Sequence, residues 1–227
     1  LYGGGGIDTA DYTSSGQSVT VNLTAGLATG GDAQGDVFVG IGNLTGSGLS
    51  DLLVGNAENN ALNGGQANDT LIGGGGADTL IGGGGLDLVD YSSSNLAITI
   101  DLSTNTSSGG DAQGDLLIGI GSIIGTTQAD QIIGDDNTNL LNGGLGSDAM
   151  DGGAGTDTVS YADSVLGVSA NMADSGFNTN EAAGDSYANI ENVLGSAYSD
   201  RLTGNDSNNV LDGGGGNDRL AGGLGAD

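Results

Sequence analysis

Apolar residues recur at every ninth position over long stretches of this chain. The longest unbroken series has six members, and each of its last five follows an Asp or Asn by two positions. Glycine-rich turns such as Gly73–Asp78 lie between them. A period of nine predicts short strands joined by tight turns, in which each nonapeptide coil buries its apolar face only by stacking on its neighbours. The six residues are Leu44, Leu53, Leu62, Leu71, Leu80 and Val89.

The same period recurs in residues 123–159 and 193–220, after segments of different character. Those segments contain alternating strands, as in Val19–Leu23. They are marked by Tyr12, Tyr91 and Tyr161, which are predicted to cover the core where the coil changes width. Because the two intervals between these tyrosines differ by one nonapeptide, we expect one continuous elongated solenoid of three repeat units. The predicted units are residues 1–81, 82–151 and 152–227.

Composition restricts the possible partners. The chain has 49 Gly, no Pro, Cys or His, and two basic against 29 acidic residues, for a net charge of -27. Such a chain repels nucleic acid and anionic membranes. It has no apolar stretch near the roughly 20 residues that a membrane span needs. We therefore expect no nucleic-acid partner and no membrane insertion, and the regular apolar period argues against disorder.

The acidic turns require a cation if the coils stack. Carboxylates in neighbouring coils, about 4.8 Å apart, repel by roughly 3 kcal/mol at an effective dielectric constant near 20. Only oxygen donors are abundant, from Asp, Asn and backbone carbonyls, with no imidazole or thiolate for zinc, copper or iron. Hard oxygen ligands in flexible loops favour Ca²⁺ over Mg²⁺, which demands tighter octahedral geometry.

Several turns have the sequence Gly-Gly-x-Gly-x-Asp, among them Gly82–Asp87, Gly143–Asp148, Gly152–Asp157 and Gly222–Asp227. On these turns the chain resembles the RTX, or haemolysin-type, calcium-binding repeats. The resemblance implies an all-β fold without helices of note, a right-handed parallel β-roll or β-solenoid of nonapeptide coils, with three wider coils that carry lobes. In that family successive turns alternate sides, so an ion lies between turns two repeats apart.

Carried over residue by residue, the resemblance implies Ca²⁺ as the cofactor, with several ions bound. The implied ligands are the Asp side chains that end the turns and the glycines whose carbonyls face the ion. The aspartates are Asp8, Asp51, Asp69, Asp78, Asp87, Asp130, Asp148, Asp157, Asp200, Asp218 and Asp227. The glycines are Gly64, Gly73, Gly75, Gly82, Gly84, Gly143, Gly152, Gly213, Gly215 and Gly222.

A second set of candidate metal ligands departs from that pattern. Asn60, Asn139 and Asn209 replace the Asp, in turns that lack the second glycine. Since an amide can donate as well as accept, such a turn can bind metal or close without it. Acidic clusters between the ladders are either extra calcium sites or solvated turns held by Asp side-chain hydrogen bonds. Their residues are Asp32, Asp36, Asp111, Asp115 and Asp185.

No catalytic constellation is present. The chain has no His, Lys or Cys, and a Ser without a base is inert. Its carboxylates repeat with the scaffold, whereas a glycosidase pair is singular, and its glycine runs lack the Lys-Ser/Thr of phosphate loops. We therefore expect no enzymatic activity in this chain. Arg201 and Arg219, two nonapeptides apart, are expected to stack and relieve acidic charge, with weak polyanion binding as the alternative.

Two functions remain open. The first is a calcium-binding structural region of a secreted or cell-surface bacterial protein, such as an adhesin stalk, surface layer or extracellular fibre, which folds on meeting calcium outside the cell. The second is a calcium-dependent accessory module of an exported enzyme, such as a protease, lipase or polysaccharide epimerase. The resemblance implies type I secretion for both. We favour the first, because repeats at both ends predict continuation into further repeats or end-to-end self-association.

Overall fold

Strands of three to six residues, separated by turns, make up almost all of the regular structure. The computed structural model describes residues 1–227. Its strands are β1 (Asp8–Asp11), β2 (Thr20–Asn22), β3 (Leu27–Thr29), β4 (Ile41–Thr45), β5 (Leu52–Asn56), β6 (Ala61–Gln66), β7 (Thr70–Gly74), β8 (Thr79–Gly84), β9 (Leu88–Asp90), β10 (Thr99–Asp101), β11 (Thr106–Ser108), β12 (Leu116–Ile118), β13 (Ser122–Ile124), β14 (Gln131–Ile133), β15 (Leu140–Asn142), β16 (Ala149–Asp151), β17 (Thr158–Ser160), β18 (Ser169–Asn171), β19 (Ser186–Ala188), β20 (Asn192–Leu194), β21 (Arg201–Thr203), β22 (Val210–Asp212) and β23 (Arg219–Ala221).

Helical structure is confined to four 3-10 helices of three residues each. They lie at Gly31–Ala33, Gly110–Ala112, Ser175–Phe177 and Asn180–Ala182. No helix is long and apolar enough to cross a membrane. The predicted all-β fold without helices of note is confirmed.

The chain divides into two compact bodies, one of residues 1–94 and 104–122, the other of residues 95–103 and 123–227. In the first body, strands β1, β4, β6, β8 and β12 form one parallel sheet and β2, β5, β7 and β9 another, with β3 antiparallel to β2. The second body contains the sheets β10-β14-β16-β19, β13-β15-β17-β20-β22 and β18-β21-β23. Successive strands in the ladders alternate between sheets, as a parallel β-roll requires.

The ninth-position apolar residues form most of the core, except at the end of the last series, where Leu211 is half-buried and Leu220 is 48% exposed. In the first body Leu44 pairs in register with Leu62, and Leu62 with Leu80, so partners in one sheet lie two nonapeptides apart. Each of these side chains is no more than 1% exposed, while their neighbours along the strand point outward. The predicted stacking of coils is therefore confirmed. The opposite sheet stacks Leu53, Leu71 and Val89 in the same way.

The segments between ladders form strands that join the same sheets. The predicted strand at residues 19–23 is β2, whose Val21 pairs with Leu53. Tyr12, Tyr91 and Tyr161 are at most 4% exposed, as predicted for residues that cover the core. The wider coils therefore continue the same buried columns of side chains.

Candidate metal centre

Within the ladders, hydrogen bonds join turns that are two nonapeptides apart. Oδ1 of Asp69 accepts the backbone N–H of Asp51 at 2.8 Å. The pairing predicted from the sequence therefore holds at the level of individual atoms. The same bond, at 2.8 to 3.0 Å, joins Asn60 to Asp78, Asp69 to Asp87, Asp130 to Asp148, Asn139 to Asp157, Asp200 to Asp218 and Asn209 to Asp227.

The second carboxylate oxygen divides the turns into two classes. In the first class, Oδ2 is buried and has no hydrogen-bond partner. Desolvation of such an oxygen costs roughly 1–3 kcal/mol for a neutral group and more for a charged one. We call the turns of this class open turns. They end at Asp8, Asp69, Asp78, Asp87, Asp148 and Asp157. The turns ending at Asp218 and Asp227 share their sequence, but these two side chains are more exposed.

Glycine gives the open turns room for oxygen atoms. A Cβ added at Gly73 would overlap Oδ2 of Asp78, and one added at Gly74 would overlap the carbonyl oxygen of Asn56 in the preceding turn. Gly74 also has φ of 89°, which favours glycine. The carboxylate and the backbone carbonyls can therefore face the same space.

The predicted glycines fall into two groups. Those at the first turn position lie beside Oδ2 of their own turn's Asp, while Gly75, Gly84 and Gly215 lie against the preceding turn instead. No three acidic side chains converge on one point. Carbonyl oxygens would therefore have to supply many of the ligands, a donor set that suits Ca²⁺. The first group is Gly64, Gly73, Gly82, Gly143, Gly152, Gly213 and Gly222.

In the second class, which we call clasped turns, the protein supplies the partners. Oδ2 of Asp51 accepts the N–H of Ser47 at 2.5 Å. Its Oδ1 accepts the Ser47 hydroxyl at 3.0 Å and the Val19 N–H at 2.7 Å. The sequence signal for this class, which the metal prediction missed, is a Ser or Thr in place of the second glycine. The equivalent sets are Asp130 with Thr126 and Ile98, and Asp200 with Ser196 and Val168.

The Asn turns are also clasped. Oδ1 of Asn60 accepts the N–H of Asn56, and its Nδ2 donates to the Gly42 carbonyl, both at 2.7 Å. Nδ2 of Asn139 is buried without a partner, although its Oδ1 accepts a backbone N–H. The amide of Asn60 therefore closes its turn, as one of the two alternatives left open by the sequence describes. Metal binding at the Asn turns stays a prediction. Asn209 makes the equivalent bonds to Asn205 and Glu191.

We call a series of turns joined in this way a row, and in two rows a tyrosine hydroxyl donates to the last Asp. Oδ1 of Asp115 accepts the N–H of Asp78, and its Oδ2 accepts the Tyr91 hydroxyl, both at 2.8 Å. In the ladders, the acceptor of this N–H is the Asp two nonapeptides further along the chain. Here the acceptor is Asp115, although a whole loop separates it from Asp78. Sequence reasoning missed both this bond and the tyrosine hydroxyl. The same arrangement joins Asp148, Asp185 and Tyr161, and Tyr12 donates to Asp36.

The remaining candidates in these loops lie at the start of 3-10 helices. Asp32 is exposed and Asp111 is half-buried. Their backbone N–H groups donate to the hydroxyls of Ser15 and Ser94. Serine hydroxyls therefore hold both loops, and these bonds do not involve the Asp carboxylates that one alternative named. Both alternatives for these loops stay predictions.

The open turns are electrostatically strained. Burial, with a smaller contribution from neighbouring carboxylates, raises the pKa of Asp69 and Asp78 to about 6 and that of Asp148 to about 7. Burial also raises the pKa of Asp87 and Asp157. The fold therefore disfavours the ionised form of these groups, and a cation between them would reverse that preference.

Comparison with known proteins agrees with this geometry. Four segments match the family model of the RTX calcium-binding nonapeptide repeat: residues 45–80, 54–89, 123–159 and 194–227. Together they cover just over half of the chain and contain every open turn except the one that ends at Asp8. The three Tyr–Asp pairs lie outside the matched segments. No curated protein matches the sequence.

Proposed function

Because the chain belongs to the RTX calcium-binding nonapeptide repeat family, we propose that it is a structural region of a secreted or cell-surface bacterial protein and folds on binding calcium. Family membership by itself shows a calcium-binding repeat region. The main structural support is the set of buried Oδ2 atoms in the open turns that no protein donor reaches.

We propose that the open turns hold the ions, with Asp69 and Asp87 in one row and Asp78, Asp148 and Asp157 in others. Calcium, when bound, supplies positive charge to carboxylates that otherwise repel one another and carry a burial penalty. The Asp side chains fix the spacing of the turns through Oδ1, and the glycines leave the carbonyls accessible. Asp218 and Asp227 belong to this class by sequence.

Clasped turns receive a different role in this proposal. Both carboxylate oxygens of Asp51 are already paired with protein donors. Such a turn offers backbone carbonyls to an ion shared with the next turn and fixes their position, without a free carboxylate oxygen. Asp130 and Asp200 have the same bonds and the same role.

The negative net charge of the chain supports a link between calcium binding and secretion. With a net charge of -27, a calcium-poor chain is held open by repulsion, which favours export in an extended state. Binding of calcium outside the cell then becomes folding free energy. We assign no catalytic role to the chain, because it has no His, Lys or Cys to act as base or nucleophile.

Circular dichroism tests the folding proposal. The β signal should be lost in excess chelator, return on addition of Ca²⁺, and not return with an equal concentration of Mg²⁺. A β signal that survives complete removal of calcium would refute calcium-dependent folding. Fractionation of the source cells into medium, surface and cytoplasm tests localisation separately, and a purely cytoplasmic chain would refute that part alone.

A further inference from the structure

The only two basic side chains of this acidic protein lie side by side. Arg201 on β21 pairs in register with Arg219 on β23, so the stacking predicted from their spacing is confirmed. Both residues are exposed, and neither forms an ion pair with a carboxylate of the chain. Relief of the chain's own acidic charge through direct pairing therefore does not account for them.

Polar and aromatic side chains extend this surface. Ser169 on β18 pairs with Arg201, and Asn171 pairs with Thr203, so all four lie on the outward side of one sheet. Phe177, in the 3-10 helix after β18, is 67% exposed beside them. These five residues line an open hollow of about 380 Å³, and we call it, with Arg219, the arginine face.

Equivalent sheets in the same chain provide an internal comparison. At the positions that correspond to Ser169, Arg201 and Arg219, the neighbouring repeats have no cation. The arginines are therefore not required by the strand or by the turns that flank it. The corresponding sets are Thr99, Gln131 and Ala149, and Thr20, Leu52 and Thr70.

We propose that the arginine face binds a linear acidic polysaccharide whose sugars carry carboxylates. Guanidinium groups match carboxylates with paired N–H donors, and Arg201 and Arg219 repeat at the strand spacing of about 4.8 Å. The exposed ring of Phe177 offers an apolar surface for a sugar ring, and the Ser, Asn and Thr side chains offer partners for its hydroxyls.

Charge argues for this occupant over nucleic acid or an anionic membrane. A chain with net charge -27 repels dense polyanions, and a duplex carries one charge per roughly 1.7 Å. Two arginines cannot offset that repulsion over a large contact. A flexible polysaccharide with one carboxylate per sugar can place two carboxylates on the arginine face and keep the rest of its chain away from the acidic surface.

Titration calorimetry with short oligogalacturonates, at saturating calcium, tests the proposal. Wild type should bind, and more weakly as NaCl is raised. Arg201→Ala with Arg219→Ala should weaken binding roughly tenfold or more, since charge-assisted hydrogen bonds are lost. Phe177→Ala should also weaken it. An unchanged calcium midpoint in circular dichroism establishes that each variant folds.

A matched variant distinguishes a specific site on the arginine face from a general effect of two positive charges. Gln131→Arg with Ala149→Arg, introduced into the double-alanine background, restores the two charges at the equivalent positions of another sheet. It should not restore binding; full restoration would overturn the proposal. So would oligogalacturonate binding that is indifferent to Arg201 and Arg219, or binding only to a single-stranded oligonucleotide or to phosphatidylserine vesicles.

Discussion

Asp78→Asn is expected to change stability in opposite directions with and without calcium. Burial raises the pKa of Asp78 from 3.8 to about 6, which corresponds to an unfavourable free energy of roughly 3 kcal/mol for the ionised fold at pH 7. An Asn has no such cost. The Asn60 turn shows that an amide fits at the end of a turn. In the variant, the amide oxygen would keep the Asn60 N–H that Oδ1 of Asp78 accepts, and the amide nitrogen would take the place of the unpaired Oδ2. We expect the calcium-free fold to gain about 1–3 kcal/mol.

With calcium the sign reverses, because the variant lacks a charged ligand and the local site should weaken roughly tenfold or more. In chelator, folding can be driven by trimethylamine oxide, which favours burial of the backbone. The variant should then fold at a lower osmolyte concentration than wild type by circular dichroism. In saturating calcium it should melt at a lower temperature.

Asp51→Asn is the matched control. Both oxygens of Asp51 accept a backbone N–H, so in either orientation the amide nitrogen of an Asn would oppose a donor, the N–H of Ser47 or that of Val19. The control should lose roughly 1–3 kcal/mol in both conditions. If Asp78→Asn also lost stability in both, or if Asp51→Asn gained stability in chelator, the division into open and clasped turns would be wrong.

Three further predictions follow from burial and pKa. Burial, reinforced by nearby carboxylates, raises the pKa of Asp148 from 3.8 to about 7, so stability of the calcium-free fold should be fully present below pH 3.8 and decline as pH rises to about 7. Equal β signal at both pH values in chelator would contradict this. Tyr91→Phe removes the donor to Asp115 and should cost roughly 1–3 kcal/mol in thermal melts; an unchanged melting temperature would count against it. Leu71→Ala should cost roughly 2–5 kcal/mol in denaturant titrations, whereas Leu224→Ala, 67% exposed, should change little.

The period of nine was sufficient to predict the buried residues of the ladders, except for Leu211 and Leu220 at the end of the last one. Leu62 illustrates the reason, since a strand in a roll can meet only the strands two nonapeptides before and after it. Its neighbours, Leu44 and Leu80, follow from counting that distance in each direction. The same count placed Asp69 between Asp51 and Asp87.

The nine-residue period could not predict which donors form hydrogen bonds with the carboxylates. Asp51 and Asp69 stand at the same position of their turns, yet only Asp51 meets a hydroxyl, because Ser47 replaces a glycine. The link between Tyr91 and Asp115 was harder to foresee. Their separation of 24 residues spans a loop outside the period, and the sequence shows that the spacing recurs without showing that the hydroxyl reaches the carboxylate.

In two rows these bonds show how the protein ends a series of like charges, whereas the row from Asp51 through Asp87 ends at an unpaired Oδ2. The row from Asn60 through Asp78 begins with a neutral amide and ends at Asp115, whose second oxygen is paired with Tyr91. A row from Asp130 through Asp148 likewise begins with a carboxylate held by Thr126 and ends at Asp185, held by Tyr161. At both ends the partner is a protein donor, so the unpaired oxygens are confined to the middle of the row. If the requirement for calcium is set there, lengthening a row by one open turn should increase the number of bound ions without new end groups.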